Sequence, residues 1–329
     1  MRFGPVPVAQ ALGAILAHRE TAGEVVLAKG HVLTAPDLTA LAAAGLTQVT
    51  VAQLDPSDVG EDTAAGALAA ALVGAAPGLR LGLAATGRVN VIADTPGLAA
   101  LDAQALHALN RINPMITVAT VPDLHRMDTG GLVATIKIIA YAVPQADLDA
   151  ACAAGQSAIA LHRPVIDSVA LIETRAGRVM GDKGERSLVI RLDRLGVAFA
   201  GRTIVDHDST AIAAALQVCD APLICILTGS ATSDLHDTAP QGLRQAGGAV
   251  HHFGMPVDPG NLLFIGALGD RPVIGLPGCA RSPALNGADW VLERLLCGVA
   301  VTPDDIAAMG VGGLLKEIPS RPRPRRAAD

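Results

Sequence analysis

Apolar positions along this chain switch between a continuous period and a helical one, and the switching is most regular in its second half. Residues 168–173 and 222–228 are short apolar runs of buried-strand type, and 202–206 and 272–276 read the same way. Between them lie helical stretches at 185–195, with Leu188, Val189, Leu192 and Leu195 on one face, at 208–218 and at 240–246. A last helix is expected at 283–296, with Ser282 as its cap and Pro283 at its first position. Strand-helix alternation at this spacing predicts a mostly parallel sheet with right-handed crossovers, and in such sheets ligands bind beyond the carboxyl ends of the strands.

The first half is less regular. Residues 30–52 contain a helix with Thr34 as cap, Pro36 in the first turn and Gly45 just past the end, followed by the strand TQVTVA. An acidic turn precedes an Ala-rich helix at 63–74, apolar character resumes over 81–93, and 131–143 reads as a strand carrying one cation, Lys137. The break near 151–164 divides the chain into a smaller α/β region at 1–160, a doubly wound three-layer α/β domain at 161–315, and an Arg/Pro tail at 316–329 expected to be a solvated end or a linker.

Half of the 329 residues are hydrophobic, enough for a sizeable core built from Ala, Leu, Val and Ile, with one Trp, one Tyr and four Phe. A formal charge of −6 and so few rings argue against a nucleic-acid partner, which needs basic patches and stacking platforms. Cys152, Cys219, Cys225, Cys279 and Cys297 form no CxxC, so neither a zinc site nor a disulfide framework is indicated. With no apolar run long enough to span a membrane and no basic-then-apolar leader, the expected location is the cytoplasm.

Chemistry concentrates in two loops at carboxyl ends of predicted strands. The first, LTGSATSDLHDTAP at 227–240, offers small residues that let a ligand near the backbone, hydroxyls and a helix start that favour an anion, and two carboxylates that would repel one. A divalent cation such as Mg²⁺ joining Asp234 or Asp237 to a phosphate reconciles them. The second loop, GLPGCARSP at 275–283, offers Gly275, Pro277 and Gly278 to shape a tight backbone, Arg281 as a phosphate or carboxylate donor and the Ser282 hydroxyl. Competing readings stay open: Asp237 and Asp234 also suit helix capping, Ser230, Thr232 and Ser233 suit their own turn, and Cys279 suits a small buried filler. His251 and His252 point to opposite faces of a strand, against a zinc site. Lys137 suits an edge-strand charge, and Arg88 and Asn90 are polar points in an apolar segment.

These loops, with VDPGN at 257–261 between them, resemble in order and spacing the molybdenum-cofactor biosynthesis domain, the molybdopterin-binding fold of molybdopterin adenylyltransferases and molybdotransferases. The likeness covers roughly residues 165–300. The first half, with TGRVNVIAD and VATIKIIAYAVP, resembles a subgroup in which such a domain stands alone or precedes a molybdenum-cofactor nucleotidyltransferase. Ser230 stands where the family has the second Gly of TGG, Asp258 where a Lys is expected, and ETRAGRVMGDKGER, with Glu173, Arg175 and Lys183, where catalytic members carry a GDE-like signature. The resemblance implies that molybdopterin or its nucleotide form is bound by Thr228, Gly229, Ser230, Thr232, Ser233, Gly275, Pro277, Gly278, Arg281 and Ser282. It further implies Asp234 and Asp237 as catalytic and Mg²⁺-holding residues, and a homo-oligomer of no fixed number. Three further readings remain: a Mg²⁺-dependent adenylyltransferase or molybdate-insertion enzyme; a non-catalytic module serving a molybdenum-cofactor cytidylyltransferase or a molybdenum-enzyme chaperone; and a hydrolase of ADP-ribose-like compounds.

Overall fold

A computed structural model describes residues 1–177 and 181–315. The chain divides into two compact units, Met1–Thr95 with Ala99–Leu161, and Pro96–Leu98 with His162–Asp329. The Arg/Pro tail lies outside the described residues.

In the first unit the strands Arg2–Pro7, Gln48–Gln53 and Ile15–Leu16 form a small antiparallel sheet whose core includes Leu16, Leu33, Leu41, Val49 and Val51. The helix Ala35–Ala43 starts at Thr34 as expected: Asp37 accepts from the Thr34 amide at 2.8 Å and its hydroxyl at 2.6 Å, with Pro36 in the first turn. Gly45, at φ +84, ends it. Further along, the antiparallel sheet Ile116–Thr120, Leu132–Ile138, Arg88–Ala93, Leu79–Leu81 shares a core with the helix Glu61–Val73.

Two expectations change here. The run 131–143 is two strands, Leu132–Ile138 and Ala142–Pro144, because the chain turns to pair the second with Asp58–Gly60. Lys137 therefore lies on an interior strand rather than an edge, and its amine donates to the Thr86 carbonyl.

The second unit is α/β with a six-stranded, mostly parallel sheet. Its elements are β1 (Ser168–Arg175), α1 (Lys183–Asp193), β2 (Ala198–Asp206), α2 (Ser209–Val218), β3 (Leu223–Leu227), α3 (Thr238–Gln245), β4 (Ala249–Phe253), β5 (Phe264–Leu268), β6 (Arg271–Leu276) and α4 (Gly287–Leu296). The order is β2-β1-β3-β6-β5-β4, with β2, β1, β3 and β6 parallel and β5 pairing antiparallel with both β6 and β4. Central β3 is buried at all five positions, which is why LICIL reads as an unbroken apolar run. Ile224 and Ile226 pack with Ile212, Leu216 and Leu243 from α2 and α3. Among the described residues no helix is long and apolar enough to cross a membrane.

The last predicted helix starts later than expected. It spans Gly287–Leu296, and its cap is Asn286, which accepts from the Ala288 amide at 2.8 Å while Asp289 accepts from the Asn286 amide at 2.8 Å. Ser282 instead closes a 3-10 turn, Gly278–Arg281, and residues 282–285 remain outside the helix, the carbonyls of Ser282 and Ala284 being taken by Arg191.

Candidate functional site

The parallel pairing of β3 with β6 sets Leu227 opposite Leu276, so the two candidate loops leave adjacent strands at the same end of the sheet. The Arg281 guanidinium spans them: its Nη2 donates to the Thr228 carbonyl at 2.9 Å. Thr228 and Thr232, both buried, place their hydroxyls 3.2 Å apart, which folds the first loop back on itself. The Gly229 amide donates to the Thr174 hydroxyl at 2.8 Å, and that hydroxyl is in turn 2.9 Å from Nδ1 of His207. A Cβ at Gly229 would lie 2.7 Å from the Thr174 carbonyl oxygen and 2.9 Å from the Ala176 nitrogen, so the end of β1 admits only glycine beside it.

Behind Arg281 lies a carboxylate. Glu173, on β1, is 1% exposed and sits 3.4 Å from Arg281 Nη2 and 2.7 Å from Nη2 of Arg202 on β2. Arg202 also donates to the Gly181 carbonyl at 2.7 Å. The Arg281 side chain keeps 30% of its surface exposed, and among the described residues its Nε and Nη1 donate to nothing.

Asp237 caps α3. One carboxylate oxygen accepts from the Ser233 amide at 2.9 Å and the other from the Thr238 amide at 2.7 Å. The Ser233 amide is the largest cause that holds this carboxyl below its ordinary range, against burial, and the charge of His207 adds to it. Asp234 is exposed and accepts from the His236 amide at 2.7 Å through one oxygen, leaving the other open. Ser230 and Ser233 are also exposed. Among the described residues, no hydrogen bond or ion pair joins Asp234 or Asp237 to Arg281.

In the second loop Gly278 and Ser282 are exposed, while Gly275 and Pro277 are buried. Gly275 faces Phe264 across β5, and a Cβ there would lie 1.9 Å from the ring, so this glycine makes room for the core. The Ser282 hydroxyl accepts from the Ala284 amide at 3.3 Å. Cys225, on β3, is wholly buried, and burial pushes its thiol up to about 12.

Several residues that shape the site escaped the sequence reading. Arg191 of α1, with a side chain 4% exposed, pairs with Asp289 and donates to the carbonyls of Ser187 at 3.0 Å, Ala280 at 3.1 Å, Ser282 at 2.9 Å and Ala284 at 3.3 Å. It falls in the buried stripe of α1 with Gly184, Ser187, Leu188 and Leu192, a position at helical spacing where a cation stands out. Thr174, a polar group ending an apolar run, carried a comparable signal, and Glu173 was read only as a polar group of ETRAGRVMGDKGER; the pairing with Arg202 and His207 carried none. Among the described residues no group of three or more His, Cys, Asp or Glu side chains gathers as a metal site.

Residues 5–53 match a family described as a domain of unknown function (DUF8806). No curated protein matches. Among solved structures, a molybdopterin biosynthesis moea protein from Pyrococcus horikosii aligns at 14% identity over 90% of this chain and 75% of that one, with a TM-score of 0.32. A molybdenum cofactor biosynthesis protein B aligns at 14% identity over 40% of this chain and 88% of that one, with a TM-score of 0.28. A molybdenum cofactor biosynthesis protein from Pyrococcus furiosus aligns at 14% identity over 90% of this chain and 61% of that one, with a TM-score of 0.22. At these scores the likenesses assign neither fold nor activity to this chain.

Proposed function

We propose that the second unit binds molybdopterin, or a nucleotide form of the molybdenum cofactor, through its phosphate at the carboxyl ends of β1, β3 and β6. The three-layer, doubly wound arrangement of that binding domain is part of the proposal. The observation that supports it is the meeting of the two loops at Arg281, a partly exposed guanidinium with unused donors beside the Gly229 to Ser233 backbone. The motif order of the sequence resemblance supplies the ligand class.

The residues present fit both groups. Phosphate would sit on the Nε and Nη1 side of Arg281, where Gly278 leaves open space: a Cβ there would meet only Arg281 Nη1, at 3.9 Å. Mg²⁺ takes one or two carboxylates and substrate phosphate, and the open oxygen of Asp234 suits that role better than Asp237, whose two oxygens already hold amides. The reading is one of binding and handling rather than group transfer. Transfer around phosphate depends on cations gathered at the reacting centre, and here the cation nearest the loops is offset by Glu173.

Isothermal titration of the purified protein with molybdopterin, with and without Mg²⁺, tests the proposal. Binding is expected to weaken about tenfold or more in Arg281→Ala, a charged hydrogen bond being worth about 1.5–3 kcal/mol. No heat from the wild-type protein, beside a catalytic relative that binds, would remove the reading. Formation of adenylylated molybdopterin with ATP and Mg²⁺ would replace it with a transferase.

A further inference from the structure

We infer that Glu173 sets an affinity threshold at the site: it neutralises Arg281 from behind and weakens every phosphate bound there, so that bare inorganic phosphate is lost and a phosphate is held only when it is carried on a larger body that makes further contacts. The inference rests on the reading that Arg281 faces the ligand.

The charges at the strand ends balance without any ligand. Glu173 lies between Arg202 at 2.7 Å and Arg281 at 3.4 Å, and Glu185 stands 3.5 Å from the other terminal nitrogen of Arg202. Two guanidinium groups thus meet two carboxylates. The arrangement is asymmetric. Arg202 is the better buried arginine, its side chain 11% exposed, and Glu185 is peripheral at 37%, whereas Glu173 is sealed at 1% and opposite charges attract most strongly where water is excluded. Glu173 cannot turn out to solvent: a Cβ at Gly184 of α1 would lie 3.0 and 3.2 Å from its two oxygens, so that helix closes over it. Its Oε2 is held at 2.7 Å by Arg202 Nη2, and among the described residues Arg202 Nε has no hydrogen-bond partner.

A small anion arriving at Arg281 therefore meets a guanidinium whose charge is already offset, with Asp234 and Asp237 in the facing loop. Free phosphate has nothing else with which to compensate. A phosphate ester on a larger body has its ring system and hydroxyls to add, so it stays bound under the same offset. The offset is the same for both ligands, so the difference between them comes from the further contacts, and Glu173 sets how much affinity those contacts must supply.

The test is titration of the full chain with inorganic phosphate at low and moderate salt, for the wild type, Glu173→Gln, and Glu173→Gln with Arg281→Ala. Glu173→Gln is expected to bind phosphate at least about tenfold more tightly, as fits removal of a unit charge a few ångströms from a cation at a partly exposed site. The gain should weaken as salt rises and vanish in the double variant. If the buried amide prevents folding, Glu173→Asp keeps the charge for Arg202, shortens the reach to Arg281 and should show a smaller gain in the same direction. Phosphate affinity within twofold of the wild type in whichever variant folds would overturn the inference. The two readings fail separately. A wild type that ignores molybdopterin, with a variant that gains phosphate through Arg281, removes the proposed ligand and upholds the role of Glu173.

Discussion

Asp289, at the start of α4, is buried against Nε of Arg191, in the last turn of α1, so two helices are locked behind the second loop by one ion pair between residues 98 apart in sequence. Among its other bonds, Arg191 donates to the carbonyls of Ala280 and Ser282, the residues on either side of Arg281. The residue proposed to meet the ligand is thus set in place by another arginine.

Removing one partner of this pair should be expensive. Asp289→Ala is expected to cost about 3–5 kcal/mol, because it strands a buried guanidinium. Arg191→Met combined with Asp289→Leu removes both charges yet still leaves the carbonyls of Ala280, Ser282 and Ala284 without their donor. The double variant should therefore recover part of the loss and remain below wild type in urea unfolding. Full recovery would mean that the guanidinium does not organise the loop.

Gly275→Ala addresses a different contact. Its Cβ would lie 1.9 Å from the Phe264 ring, and an overpacked core contact of this kind costs about 1–3 kcal/mol or more. Phe264→Leu should rescue much of that loss while being destabilising alone, a sign of direct coupling that a double-mutant cycle of denaturation midpoints reads out. Additive effects would show that this glycine serves the loop and not the core.

Which features could be read from the sequence follows from how local their causes are. β1, β3 and β6 were legible because buried parallel strands are continuous apolar runs, and the helix at Ala35–Ala43 because its cap, its Pro and its closing glycine are all neighbours. The antiparallel strands β4 and β5 gave no such signal: His251 and His252 interrupt one, and glycine and alanine dilute the other. Ser282 with Pro283 satisfies every local rule for a helix start, and fails because Arg191, from another helix, claims the carbonyls of Ser282 and Ala284. The two loops were legible as a pair. The Glu173, Arg202 and Arg281 arrangement was not, since it joins two strands and the loop after a third through contacts that no spacing announces.

The acid limb of stability should carry a signature of Asp37. Bonds from the Thr34 hydroxyl, the His31 ring at 2.8 Å and the Thr34 amide lower its pKa from 3.8 to about 2, with the hydroxyl the largest cause. A depressed folded pKa means the stabilisation is whole above 3.8 and is lost as pH falls towards about 2. Asp37→Asn should therefore be less stable than wild type near neutrality, with the gap narrowing through that window and closing below it. A gap independent of pH in paired urea melts would assign the loss to packing instead of charge.

Asp237 separates capping from ligand binding. Its two oxygens hold the amides of Ser233 and Thr238, so Asp237→Ala is expected to cost about 0.5–2 kcal/mol through the lost cap. Asn carries no charge and offers one acceptor oxygen in place of two, so Asp237→Asn should keep one of the two amides and lose less stability than Asp237→Ala. If Asp234 alone meets Mg²⁺, Asp237→Asn should also leave the Mg²⁺ dependence of molybdopterin binding unchanged, while Asp234→Asn, which keeps an acceptor for the His236 amide, should abolish it. Both carboxylates share the cation if each Asn variant on its own removes the Mg²⁺ effect. If neither does, the first loop meets the ligand through its backbone, and its acids are there to shape the turn and start α3.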